Sequence, residues 1–454
     1  MALVPRLVVL GIDGVPYSLL LKLIQQGDAP NFAKLADAAG LRQMDSVHPT
    51  VSSAAWTSYV TGVQPGKHGI YGFIDRKPGE YGIRIPLSTS VATRNIWELL
   101  SAAGKRVFGM NVPVTFPPRA VNGILIGGFL CPNIDKVANP PDVIPYLKSI
   151  GYEIDTDAML ARKSKDLMLP NIHKTLDARM EAMFHFLAQE EWDYFHAHVM
   201  ATDRLNHFLL MKYEAGEAKY ADEFLRFYRK LDSYLGRLLE TLPDECGLVV
   251  LSDHGFCTIR SEVQLSRWLV EAGWTTPARP EARHPLDIDP EKSKAYSLIP
   301  GRMHVNVRGR EPAGIVPPKE FNQVRDDLAR DLLALRAPNG DPVVRRVFRR
   351  EELYWPAGAS APDPEMPLER VLATDTAFGK AADLIAVPYD GYDLKMGLAS
   401  SETFVNTQLE GMHTYHDALI MAHGVELPQE RFSILNVTRH VLSALGVEPP
   451  RDMD

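Results

Sequence analysis

Asp203 and His207, in the stretch ATDRLNHFLL, stand four residues apart. On a helix that spacing puts a carboxylate and an imidazole on one face, where both can grip the same divalent cation, although a surface pair or a helix cap has the same spacing. Asp253 and His254 follow the run LVVLS directly and precede a glycine. Two ligand types side by side at the end of a buried strand call for a reason, because polar groups beside a core are costly unless satisfied; a turn with an aspartate cap is the alternative. Asp13, in GIDG, also has two readings: the cap of a helix opening near Pro16, or a cation ligand at a strand exit. The segment from His48 to Ile70, HPTVSSAAWTSYVTGVQPGKHGI, crowds small hydroxyl residues ahead of a helix-like run that Pro65-Gly66 and His68-Gly69 end. A serine at such a helix start meets free amide donors and a positive dipole, which favour an oxyanion and an incoming phosphate. Ser52 and Ser53 read equally well as caps. Together these residue types suit metal-assisted attack of an alcohol on phosphorus.

The elements that must position them are legible as patterns. Leu7 to Ile12 and Leu248 to Leu251 are almost continuously aliphatic and run into polar residues, as central parallel strands do, and Tyr194 to Met200 is a third candidate leading to Asp203. In open α/β sheets the ligand crevice lies beyond the carboxyl ends of the strands, where all three runs deliver acids. Helical spacing predicts helices over Tyr17 to Gln25, Pro30 to Ala39, Arg94 to Ala103 and about Tyr220 to Leu242. The alternation is that of a doubly wound sheet. After Phe256 the texture changes to Pro-rich and charged stretches, 275–294 and 355–367, flanking a hairpin-like AYSLIPGRMHVNVRG. An inserted α+β subdomain or lid is expected over 257–400, with the core formed by 1–256 and 401–454 and closed by a helix from Arg431 to Leu445.

With 454 residues the chain can bury a sizeable core. Its formal net charge of -8 and scattered Lys and Arg exclude a basic stripe for a nucleic acid polymer, so a small phosphorylated substrate is the expected partner. Cys131, Cys246 and Cys257 fit neither a disulfide framework nor a CxxC knuckle, which predicts reduced thiols and a cytoplasmic protein. No window approaches the roughly 20 apolar residues of a membrane span, and the short apolar run at the N-terminus reads as a strand.

Taken in order, GIDG at 11–14, SSAAWTSYVTGVQPGKHGI at 52–70, DRLNH at 203–207, SDHG at 252–255 and GMHTYHD at 411–417 resemble the alkaline phosphatase superfamily, and within it the type I phosphodiesterase and nucleotide pyrophosphatase family. The resemblance implies an alkaline-phosphatase-like α/β core, a mostly parallel sheet with helices on both faces. It implies two divalent cations, Zn²⁺ first and Mn²⁺ second. Asp13, Asp253 and His254 would hold one, with Ser52 as the nucleophile bound to it; Asp203, His207 and His413 would hold the other. Ser53 is the rival of Ser52, and His416 of His413. Three carboxylates and a serine alkoxide would balance the four charges of two cations, leaving a near-neutral site for an anionic ester. The implied reaction is cleavage of a phosphodiester or pyrophosphate bond through a phosphoserine.

One departure concerns substrate. Nucleotide-directed members of that family carry an asparagine where Phe73 stands here, so its donor is absent or supplied elsewhere, with Asp75, Arg76 and Lys77 as candidates. His196 and His198, on one face of a strand, read first as core residues and second as partners of ligands. Trp56, Trp97 and Tyr59 read as core. A phosphomonoesterase, a phosphonate hydrolase, a phosphomutase or a non-catalytic metal-stabilised binding protein are the alternatives; a sulfatase is disfavoured because its Cys/Ser-x-Pro-x-Arg signature is missing at Ser52.

Overall fold

A computed structural model describes residues 3–406 and 408–454. The chain forms two compact units: Met1–Gln64 with Leu87–Cys257 and Gln408–Asp454, and Pro65–Pro86 with Thr258–Thr407.

The first unit is built on an eight-stranded sheet. Its strands are β1 (Leu7–Ile12), β2 (Arg42–Met44), β3 (Val107–Met110), β4 (Gly123–Ile126), β5 (Ala138–Asn139), β6 (Tyr194–Val199), β7 (Gly247–Leu251) and β8 (Ala418–His423), in spatial order β2-β8-β7-β1-β6-β3-β4-β5. From β7 through β1, β6 and β3 to β4 all neighbours are parallel, while β8, β2 and β5 join antiparallel at the edges. Every residue of β1, β6 and β7 is buried, which is why these strands read as unbroken apolar runs rather than alternating ones.

Alternation reappears in where the side chains go. Val8, Leu10 and Ile12 pack into one core with Leu20, Leu23, Phe224, Phe227 and Leu231, whereas Leu7 and Val9 pack into the opposite core with Trp56, Tyr59, Val441 and Leu442. Helices therefore cover both faces. Pro30 opens the helix Pro30–Ala39 at its first turn, where a missing amide costs nothing. Asn95 caps Ile96–Ala102 and Glu98 returns the bond to the Asn95 amide, which sets the start two residues later than the spacing suggested. The helix Lys165–Gln189 had no counterpart in the sequence reading: Pro170 lies in its second turn, and its polar and apolar residues are poorly segregated. The closing helix is shorter than expected, Val437–Ala444, preceded by a 3-10 turn capped by Ser433.

The second unit is α+β. The hairpin Ala295–Ile299 and Arg302–Val305 is antiparallel and turns at Gly301, whose φ of 69° suits glycine. Leu384–Pro388 and Val344–Arg349 extend the sheet, against which Leu328 and Leu332 of helix Phe321–Ala334 pack. Phe404–Val405 pairs with Ser261–Gln264 within this unit, and Pro65–Pro86, which the sequence reading left with the core, also lies in it. Among the described residues, no helix is long and apolar enough to cross a membrane.

Candidate metal centre

Three neighbouring strands of the first unit deliver acids at their carboxyl ends. Asp13 follows β1, Asp253 stands two residues beyond β7, and Asp203 lies in the first turn of the helix Ala201–Glu214 that leaves β6. Parallel pairing of β7, β1 and β6 puts the three exits side by side. His207 is one helical turn past Asp203, and the strand Gly411–Thr414 brings in His413. Two clusters result, Asp13 with Asp253 and His254, and Asp203 with His207 and His413, each offering ligand atoms within 4.8 Å of one another. The stacked rings of His254 and His413, with centroids 3.7 Å apart, join them.

Ser52 is the first residue of helix Ser52–Thr61, whose start no side chain caps, so its leading amides stay available. Its Oγ lies 3.1 Å from Asp13 Oδ1 and 3.2 Å from His254 Nε2. The other oxygen of Asp13 is fully engaged: Trp56 Nε1 donates to Oδ2 at 2.8 Å and His198 Nε2 at 2.9 Å. Thr202 donates to the main-chain oxygen of Asp13 at 2.6 Å, fixing the strand exit itself. The Gly14 amide donates to Asp253 Oδ1 at 3.1 Å, and Gly14 has φ 64° with no room for a Cβ against Phe256. Asp253 Oδ2 is buried without a hydrogen-bond partner among the described residues.

In the second cluster, His413 Nε2 lies 3.2 Å from Asp203 Oδ1 and 3.0 Å from His207 Nε2. Arg204 Nη1 donates to Asp203 Oδ2 at 2.9 Å, and its Nε and Nη2 are held by Asp155 at 3.1 and 2.6 Å. Both key carboxylates are thus anchored through Oδ2 and turn Oδ1 inward.

The imidazoles show the same directionality. His207 Nδ1 donates to the Gly411 oxygen at 2.8 Å, His413 Nδ1 to the Thr50 oxygen at 3.1 Å, and His254 Nδ1 to the Gly255 oxygen at 3.1 Å. A carbonyl only accepts, so Nδ1 carries a proton in each ring, which leaves Nε2 of a neutral ring as a bare lone pair facing the centre. Two such lone pairs at 3.0 Å, beside Asp203 Oδ1, repel unless positive charge lies between them. The donor set fits divalent cations of the zinc type, for which imidazole and carboxylate are the usual ligands and outer hydrogen bonds orient the rings.

Electrostatics agree. Burial, reinforced by the charge of Asp13, pushes the Asp253 carboxyl well above its ordinary range. Burial alone would do the same to Asp203, but the protonated forms of His207 and His413, with Arg204, outweigh it and hold that carboxyl below the usual value. Burial depresses His207 to about 4 and, with His413 beside it, His254 to about 3, so both rings are neutral and ligand-competent at physiological pH.

All seven residues expected from the sequence come together. Of the rivals, Ser53 is buried with its hydroxyl unpartnered among the described residues, and His416 is on the surface, with Nδ1 2.9 Å from Asp45 and Arg431 beside it. His198 and Trp56, read first as core, are buried but serve Asp13. His196 is core, enclosed by Trp56, Tyr59 and Trp97. Phe73, Asp75, Arg76 and Lys77 belong to the second unit, where Arg76 is bound by Glu311 at 3.0 Å and Lys77 lies near Glu80 at 3.6 Å. Arg204 and Asp155 escaped the sequence reading; the only signal was the basic residue directly after a proposed ligand.

The whole chain superposes on phosphonoacetate hydrolase of Sinorhizobium meliloti 1021, at 16% identity and TM-score 0.64 over 98% of this chain and 96% of that one. It superposes on human ectonucleotide pyrophosphatase/phosphodiesterase 5 at 14% identity and TM-score 0.57, over 99% and 97% respectively. At such identities the likeness speaks to the fold, which is alkaline-phosphatase-like. No curated protein matches the sequence. The sequence match to the type I phosphodiesterase/nucleotide pyrophosphatase family runs from residue 7 to residue 416 and takes in every stretch that supplies the two clusters, so the chain belongs to that family of phosphoester hydrolases.

Proposed function

We propose that the chain hydrolyses a phosphodiester or pyrophosphate bond by way of a phosphoserine at Ser52, with Asp13, Asp253 and His254 holding one divalent cation and Asp203, His207 and His413 the other. The observation that carries this reading is the convergence of bare imidazole nitrogens and inward carboxylate oxygens on a serine that starts a helix. Two such cations, zinc or secondarily manganese, would supply Lewis-acid stabilisation of charge developing on the phosphoryl group and lower the pKa of the serine alcohol.

The chain's own residues do the positioning. The Ser52 hydroxyl has one proton and two acceptors, Asp13 Oδ1 and His254 Nε2, which fix the direction of its remaining lone pairs. Trp56 and His198 keep Asp13 from rotating. The uncapped amides of Ser52 and Ser53 at the start of Ser52–Thr61 would be available to phosphoryl oxygens that gain charge beside Ser52. In the first step the Oγ–P bond forms and the bond from phosphorus to the leaving oxygen breaks, the leaving group taking up a proton. In the second, water attacks phosphorus, the Oγ–P bond breaks and Ser52 regains its proton. The products are a phosphomonoester and an alcohol, or two phosphates from a pyrophosphate. The free cysteines, two of them buried, support a reducing, cytoplasmic setting.

A panel of bis-p-nitrophenyl phosphate, p-nitrophenyl phosphate, a nucleotide pyrophosphate, a phosphonate and a sulfate ester, each with Zn²⁺ or Mn²⁺, tests the proposal. Preferential turnover of the diester or pyrophosphate is expected. Monoester or phosphonate preference would redirect the substrate class, and tight metal binding with no turnover of any ester would replace the enzyme by a metal-stabilised binding protein.

A further inference from the structure

The second unit contains a cluster with the opposite chemistry. Asp75–Arg76 pairs antiparallel with Ile83–Arg84, and the register sets Asp75 across from Arg84. Asp75 is buried; its Oδ2 takes only a long bond from the Tyr71 amide at 3.4 Å. Its Oδ1 faces Arg302 Nη1 at 3.6 Å, beyond hydrogen-bond reach, and has no hydrogen-bond partner among the described residues. Arg302 is buried as well, with Nε unpartnered among the described residues. Its guanidinium fits under Gly72, where a Cβ would stand 2.5 Å from Nη2. Arg84 has Nε and Nη2 buried and likewise unpartnered. Lys380 is brought to the same segment by the packing of Phe378–Lys380 on Pro65–His68, its Nζ standing 3.8 Å from where a Cβ on Gly69 would be, and burial and then Arg84 push its ammonium below the usual range.

Two buried arginines elsewhere in this unit are matched by carboxylates, while Arg76 and Arg350 also keep N–H groups without a partner among the described residues but each lies beside an acid, Glu311 and Asp383. Arg310 meets Asp383 with two bonds of 2.7 and 2.6 Å, and Arg325 meets Glu351 with two of 2.8 and 2.6 Å. Around Asp75, by contrast, three cations share one carboxylate, an excess of two positive charges; Arg302 Nη1 reaches the Ile74 oxygen at 3.5 Å, while Arg84 Nε and Nη2 and Arg302 Nε have no acceptor among the described residues. Buried donors without acceptors mark a missing partner, and a fork of guanidinium donors suits tetrahedral and planar oxyanions.

We propose that Arg84, Arg302 and Lys380, arranged around Asp75, form an oxyanion-binding site for a doubly charged phosphate-like group. That group is inorganic phosphate, and the site does not rest on the hydrolase reading. The site is tested on the full chain in chelator-treated, metal-free buffer, so that neither cation contributes, by titrating inorganic phosphate in a calorimeter, with sulfate and chloride for comparison. One phosphate per chain is expected, bound more tightly than chloride and raising the melting temperature. Arg84→Met and Lys380→Met should each weaken it about tenfold or more, with Arg84→Lys recovering part of the loss. No phosphate binding, or binding that both methionine variants leave unchanged, overturns the site; if one variant fails to fold, the other decides. Calorimetry needs no turnover, so failure of the hydrolase reading leaves this one standing.

Discussion

The two units carry opposite electrostatic problems. In the first, acceptors are in excess: Asp13, Asp203 and Asp253 with three bare Nε2 atoms converge with no donor among them. In the second, donors are in excess: Arg84, Arg302 and Lys380 surround one under-bonded carboxylate. A folded chain leaves such groups incompletely paired only where something else supplies the counter-charge, because each buried unsatisfied group costs about 1–3 kcal/mol. The first cluster therefore asks for cations and the second for an anion. The difference also extends to how the groups are held. Every candidate ligand of the first cluster has its second polar atom committed to an outer partner, Asp253 through the Gly14 amide included, whereas the arginines of the second keep unpartnered N–H groups among the described residues.

The sharpest way to separate the two regions is to remove the alcohol on which the first converges. Ser52→Ala should lower kcat by about 10⁴-fold or more, as loss of a nucleophile does, and abolish the covalent phosphoserine seen by mass spectrometry after acid quench. Ser53→Ala should leave that adduct in place. The reverse pattern would move the reacting atom by one residue.

His413→Ala comes next. It should cost one of two cations per chain by elemental analysis and lower activity by more than the roughly 10- to 100-fold typical of an outer partner. His416→Ala should keep both, since His416 bonds Asp45 on the surface. Unchanged stoichiometry in His413→Ala would break the assignment of the second cluster.

A smaller effect is expected from the groups behind Asp13. Trp56→Phe keeps an aromatic ring but deletes the indole donor to Oδ2, and should weaken the cation proposed to be held by Asp13 about 10- to 100-fold in competition with a chelating dye. An affinity equal to wild type would reduce Trp56 to the core residue its sequence suggested.

Trp56 is the core residue its sequence suggests and also a partner of Asp13, and why only the first is legible shows what sequence can carry. Strand exits are visible because a buried strand must be apolar on both faces and a catalytic acid interrupts it abruptly; Asp13 and Asp253 stand out for that reason. Asp203 and His207 are legible through helical spacing, and His413 only through the motif order of a resembling family, since nothing local ties it to residues some two hundred positions away. Trp56 and His198 lie inside apolar stretches and look like packing. Their function resides in one N–H each, whose aim toward Asp13 Oδ2 is set by how β1, β6 and the helix Ser52–Thr61 meet in three dimensions. The unmatched arginines were hidden likewise: Arg84 and Arg302 are ordinary charged residues along the chain, and only pairing of Asp75–Arg76 with Ile83–Arg84 and the course of the hairpin bring them to one carboxylate.

The smallest effect separates the regions by the sign of a pH dependence. In the first unit, burial lowers His207 to about 4 and His254 to about 3, so without cations those rings bind fewer protons folded than unfolded, and stability falls as pH drops below the ordinary imidazole range. In the second unit, burial raises Asp75 from 3.8 to about 6, with Arg302 the largest opposing influence. Between those two values the folded protein holds more protons on Asp75 than the unfolded chain does. Its contribution to stability is therefore fully present below about pH 4 and is lost as pH rises through 6, by roughly 2–3 kcal/mol at most. Asp75→Asn cannot titrate. Subtracting its urea-unfolding free energy from that of the wild type, at steps from pH 4 to 7 in phosphate-free buffer, should give a difference that declines with pH and levels off above 6. A difference that rises with pH would mean that the three cations dominate Asp75 and depress its carboxyl, in which case the cluster holds a satisfied ion pair and has less need of an external anion.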